Sequence, residues 1–205
     1  MKTKIILILL FPLVTNLIMS CCNCEATITQ HYTNSSFTLQ VLDNSGSSAI
    51  VATSDSIIKK AFGIRMQLIR ELTARLHKRC SILMQEATAS DLCSCGPGKE
   101  YLPKDSVISL KIITVFGFDS MHPANSDVSD YFKVAPGDIS FETIAQYMPM
   151  LNANYSDYDP NNISLSIDFL LMTPPTINTQ HQFIIQIMLS DGRMLQQQTG
   201  LINLI

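Results

Sequence analysis

Asp119, His122, Asp127 and Asp130 fall within one short stretch of the chain. Carboxylates beside an imidazole are the side chains that ligate a metal or exchange protons as acid and base. A loop this polar is equally at home in plain solvent, so no metal site is assigned, and Asp119, His122 and Asp127 are the set to test as one. Asp157, Asp159 and Asn161 have the one-three-five spacing of a calcium loop, with Asp168 at the twelfth position, where a closing carboxylate belongs. The match breaks at position six, where Asn162 stands in place of the turn-making glycine, and a polar turn before a strand accounts for these residues better. His31, His77 and His181 stand at no diagnostic spacing from a cysteine or carboxylate. The chain has no Gly-x-Ser-x-Gly elbow, phosphate-binding glycine loop or His-Glu-x-x-His motif. It therefore nominates no catalytic residue and no cofactor.

The cysteines carry more specific chemistry. Lys2 and Lys4 precede an apolar run from Ile5 to Val14, the layout of a secretory signal, and Ile18-Met19-Ser20-Cys21 is similar to a lipobox. A spanning helix would need about 20 apolar residues, whereas this run is short and interrupted by Pro12 and Asn16. The lipobox implies that Cys21 takes a diacylglycerol through its sulfur, that the chain is cut before it, and that the new amine is acylated, palmitate being a typical chain. At about 0.8 kcal/mol per buried CH2, two or more chains hold a protein at a bilayer essentially permanently. The competing reading is ordinary secretion with cleavage after Ala26, but that site lies far past the apolar run. A compartment reached by export is oxidising, so the other cysteines should form disulfides. The candidates are Cys24, Cys80, Cys93 and Cys95, with two bridges and one free thiol the natural count. Cys93 and Cys95 are too close for an unstrained bond with each other. Zinc held by Cys22, Cys24, Cys93 and Cys95 is disfavoured, because structural sites space their paired ligands by two to four residues.

These residues need elements to place them. Of 205 residues, 46% are hydrophobic and 15% charged, which excludes a disordered chain and suits one domain. Losing residues 1–20, with two lysines and no acid, takes the formal charge from −3 to −5 and leaves no basic surface for nucleic acid. A first strand is expected near Phe37 to Leu42, followed by turn chemistry at Asp43-Asn44-Ser45-Gly46 and an exposed loop to Ser56. Phe62, Ile64, Met66 and Leu68 alternate as in a strand, while Leu68, Leu72 and Leu76 have helical spacing; the strand is preferred. Residues 89–104 suit a disulfide-pinned loop. Val107 to Phe118, apolar and rich in β-branched residues, reads as a central strand. Residues 119–138 read as a long excursion, and Phe141 to Met148 as one short helix stopped by Pro149. Leu165 to Leu171 alternates as a half-buried strand, and Phe183 to Leu189 turns at Asp191-Gly192 into a hairpin.

Ser20-Cys21-Cys22-Asn23-Cys24, Leu42-Asp43-Asn44 and Ala61-Phe62-Gly63-Ile64-Arg65 combine with later pieces. These are Phe118-Asp119, His122-Pro123-Ala124, Asp127-Val128-Ser129, Phe132, and the ending His181 through Asp191-Gly192-Arg193 to Thr199. Together they resemble a family of cell-envelope lipoproteins of anaerobic Gram-negative gut bacteria that carry a domain of unknown function. The resemblance implies no activity; it supports the lipid address and the strand at Phe62 to Leu68. The expected organisation is a signal peptide at 1–20, the lipidated cysteine and tether at 21–36, and one domain at 37–205. The expected fold is mainly β, a two-sheet antiparallel sandwich with one short helix and long loops. The expected place is the bacterial cell envelope, as an outer-membrane lipoprotein facing periplasm or cell surface. A binding or structural module without enzymatic activity fits best, with an envelope protein or glycan as partner; the absence of Trp tilts this toward protein. The alternatives are a small envelope hydrolase using the 119–130 loop, and a subunit of an envelope assembly, which an open sheet groove or unpaired edge strand would favour.

Overall fold

The computed structural model describes residues 28–73, 99–135, 140–156 and 164–205. The expected signal peptide and lipidation site lie outside them, as do all six cysteines, His77, Asp157, Asp159 and Asn161, so the expected anchor, the disulfide candidates and the calcium-type spacing at 157–161 fall outside the described residues.

The described chain is mainly β with one α-helix. Its strands are β1 (Ile28–Asp43), β2 (Ile50–Val51), β3 (Ser56–Ile57), β4 (Phe62–Leu72), β5 (Lys99–Pro103), β6 (Val107–Thr114), β7 (Phe132–Val134), β8 (Tyr155–Ser156), β9 (Leu165–Leu171), β10 (Gln180–His181), β11 (Phe183–Leu189), β12 (Met194–Gln198) and β13 (Ile202–Leu204); α1 spans Ile144–Leu151. The large sheet runs β7-β9-β4-β1-β5-β8 with β2 added to β1, the second runs β12-β11-β6, and a third small sheet runs β10-β13-β3. Pairing is antiparallel except at β1–β5 and β3–β13, so the expected two-sheet antiparallel sandwich gains a small third sheet and two parallel pairs.

The sandwich follows from alternation. On β4, Phe62, Ile64, Met66 and Leu68 are buried, as are Ile167, Phe169 and Leu171 on β9 and Phe183, Ile185, Ile187 and Leu189 on β11. One apolar face per strand must be covered, and facing sheets cover it. Phe183 stacks on Phe62 at 5.2 Å and meets Phe132 edge-on at 5.5 Å, which joins the second sheet to the first through a single core. Gly63 lies where a Cβ would come within 2.8 Å of Leu170 Cδ2 and 3.1 Å of the Phe169 carbonyl. Glycine there lets β4 and β9 close.

Several expectations are corrected by the strands: Lys99–Pro103, inside the expected 89–104 loop, forms β5, and Ile50–Val51, inside the expected exposed loop to Ser56, forms β2. β1 begins at Ile28, so residues 28–36, assigned above to the tether, are paired: Tyr32 to Asn34 face β4, and Ile28 to Tyr32 run alongside β5. Their polar side chains hid this, because ladder bonds come from the backbone and are indifferent to the side chain. The Val107 strand is not central. Among the described strands β6 pairs only with β11 and is the outer strand of its sheet, with one isolated bridge from Ile113 to Asp127 on its other side. Residues 119–135 are not purely an excursion either, since they include a 3-10 turn at Ser129–Tyr131 and β7. The helix also starts later than expected and runs through Pro149, which costs it one backbone bond near its end. Its start is set by a reciprocal capping box in which Thr143 Oγ1 accepts from the Gln146 N–H and the Gln146 side chain accepts from the Thr143 N–H.

Candidate functional site

The polar loop expected to hold chemistry is built on Phe118, fully buried and in ring contact with Tyr131 at 5.3 Å. Next to it, Asp119 Oδ1 accepts from the backbone N–H groups of Met121 and His122, both at 2.8 Å, and lies 2.8 Å from His122 Nδ1. The Tyr131 hydroxyl donates to Asp119 Oδ2 at 3.1 Å. Partial burial pushes the Asp119 carboxyl up, but the bonds from the His122 ring, the two N–H groups and Tyr131 outweigh it and hold the group below its usual value. Asp119 and His122 thus close their own loop.

Asp127 does not join them. Its carboxylate accepts from the Ser129 N–H and hydroxyl and lies 3.5 Å from Lys111 Nζ. No group of three or more His, Cys, Asp or Glu placed to hold a metal occurs among the described residues. Asp168, the proposed twelfth position of a calcium loop, is in β9 and grips Arg65 of β4 with two bonds of 2.6 and 2.7 Å. His31 lies in β1, its carbonyl accepting from the Thr73 N–H and hydroxyl. His181 is fully buried between Phe118 and Phe183.

What Asp127 does line is a groove of about 500 Å3 between the outer edge of β6, the 3-10 turn, β7 and the start of α1. Leu110, Phe132 and Ile144, all nearly buried, form its floor. Lys111, Lys133, Asp127 and Asp130 give it equal numbers of each charge. Nothing in the sequence spacing marked this site, because its walls come from four separate segments. Asp127 and Asp130, read in the sequence as part of a polar loop, are the two of its residues that the sequence brought forward.

A buried polar network fixes the opposite end of β6. Asp105, in the turn before β6, accepts from the Asn34 N–H at 3.0 Å and the Thr33 hydroxyl at 2.7 Å, and pairs with Arg193 from β11–β12. The Asn34 side chain returns a bond to the Asp105 carbonyl and accepts from Arg70, whose guanidinium lies over the Tyr32 ring at 4.7 Å and bonds the Leu151 carbonyl at 2.9 Å. The break in the β1–β4 register falls between Asn34 and Ser36, where this network takes the strand's groups.

Fold and groove together define a β-sandwich that offers a small, electrically balanced cleft beside an outer strand. The chain belongs to the DUF5034 family, described as a domain of unknown function, which matches residues 34–200. No curated protein and no solved structure matches the chain.

Proposed function

We propose that this chain is a lipid-anchored protein of the bacterial envelope whose domain binds another protein without catalysing a reaction. The groove beside β6 carries this reading: it joins an apolar floor to an outer strand, the two features by which one protein holds a segment of another. A glycan is favoured less. Phe132 is the one aromatic residue in the lining among the described residues, and it is 1% exposed, so it offers no ring for a sugar to stack on. The hydrolase alternative needs Asp119, His122 and Asp127 to converge, yet only Asp127 lines the groove, and Asp119 and His122 are bonded to each other. The envelope address rests on Ile18-Met19-Ser20-Cys21 and on the charged, then apolar, leader before it.

The test is photo-crosslinking in the native host from a benzophenone amino acid at exposed Ala145, on the groove wall, against the same probe at exposed Gln197 on β12. The expected result is one protein adduct from position 145 that is absent from 197. No adduct at 145, or the same adducts at both positions, rules the groove out as the binding face.

A further inference from the structure

Among the described residues, the outer edge of β6 is filled at both ends and open in the middle. At one end the Asn152 carboxamide stands in for a neighbouring strand, its Oδ1 accepting from the Val107 N–H at 2.8 Å and its Nδ2 donating to the Val107 carbonyl at 2.9 Å. At the other end the Ile112 N–H donates to Ser129 Oγ at 2.8 Å and the Ile112 carbonyl accepts from the Val128 N–H at 2.8 Å. Thr114 bonds outward in the same way, to Ser126 and Asn125. Backbone groups alternate sides along an antiparallel strand. Thr114 and Ile112 bond outward, so Leu110 also directs its N–H and C=O away from β11 and into the groove that it lines. Neither group has a partner among the described residues, although Leu110 is only 6% exposed. Buried backbone groups are almost always satisfied. Across the groove, the outward carbonyl of Phe132 on β7 is likewise unpartnered among the described residues, its N–H going to the Ser129 carbonyl.

Deepening the binding reading and resting on it, we propose that the groove takes a short extended peptide segment of a partner protein, added as a strand to β6 at Leu110. The segment places an uncharged, apolar side chain on the floor of Leu110, Phe132 and Ile144, beside Met148. A strand lies about 4.8 Å from its neighbour, so it is narrow enough to enter where a whole sheet is not. The opening between Asn152 and Ser129 limits the added ladder to one residue pair with its flanks. The two lysines and two aspartates of the lining cancel, which gives a charged segment no advantage.

The test is selection of binders to the full chain from a displayed library of random heptapeptides, followed by affinity measurement with the selected peptides and their single N-methylated versions. A methyl group on the one peptide nitrogen that pairs with the Leu110 carbonyl should weaken binding at least tenfold, while methyl groups toward the two ends of the peptide leave it unchanged. Ala145→Arg, which fills the groove from an exposed helix position and spares the core, should also weaken it at least tenfold. Binding indifferent to N-methylation, or unaffected by Ala145→Arg, overturns strand addition, and so does a selection that yields no binder. In each of those cases an adduct from position 145 in the crosslinking experiment leaves the protein-binding reading standing, whereas its absence removes both.

Discussion

His181 shows how a single buried side chain sets a response to pH. Burial pushes its imidazolium form down from the ordinary value, outweighing the nearby backbone of Asn178 and Ile177, and Lys59 adds to the depression. Neither ring nitrogen has a well-formed hydrogen bond among the described residues. The folded protein therefore holds this ring neutral, while the unfolded chain takes up a proton near pH 6.5. Below that pH the unfolded state binds more protons, so stability is complete above about 6.5 and falls as pH drops. The urea midpoint should decline from pH 7.5 to 5.5, and His181→Phe should flatten part of that decline. An identical slope in both proteins would show that another group sets it. Asp105 works by pairing. Asp105→Ala would leave the Asn34 N–H and the Thr33 hydroxyl without their acceptor and Arg193 without its partner, for a loss of about 2–4 kcal/mol. Arg193→Met, at a half-exposed position, should cost less, about 1 kcal/mol. Urea unfolding of the two variants checks the order. The sequence exposed neither residue: Asp105 reads as one more polar turn residue until the distant Asn34 and Arg193 are brought to it.

Among the elements, alternation was legible and edges were not. The period-two patterns of Phe62 to Leu68, Leu165 to Leu171 and Phe183 to Leu189 each correspond to a strand with one buried face, and Asp191-Gly192 turns the hairpin with Gly192 at φ 88°. β6 misled because its apolar content marks a strand that is well covered, and α1, the 3-10 turn and β11 cover it without a second strand partner among the described residues. Residues 28–36 misled in the opposite sense, being polar yet paired. Two substitutions probe the elements directly. Gly63→Ala pushes a methyl into Leu170 and the Phe169 backbone and should cost about 1–3 kcal/mol in urea unfolding. Thr143→Ala removes the helix cap beside the groove and should cost about 1 kcal/mol. A neutral result for Gly63→Ala would mean that β4 and β9 separate more readily than their contact suggests.

At the scale of the whole molecule, the groove and the anchor belong to one idea: a domain held at a membrane by Cys21 and presenting β6 to a neighbour in the envelope. The groove was out of reach of the sequence because β6, the 3-10 turn, β7 and α1 meet only in the fold. The proposed anchor rests on local sequence alone, since a lipobox is a run of four adjacent residues. If Cys21 carries the proposed two or more acyl chains, replacing it by Ser should move the protein from the membrane fraction to the soluble fraction. The most direct single measurement is the intact mass of the mature protein from its native host, with and without reduction. The expected mass is that of a chain beginning at an acylated Cys21, with a shift on reduction for two disulfides among the remaining cysteines. A chain beginning at Thr27 and carrying no lipid would contradict the anchored placement and, with it, the neighbour that the groove is proposed to meet.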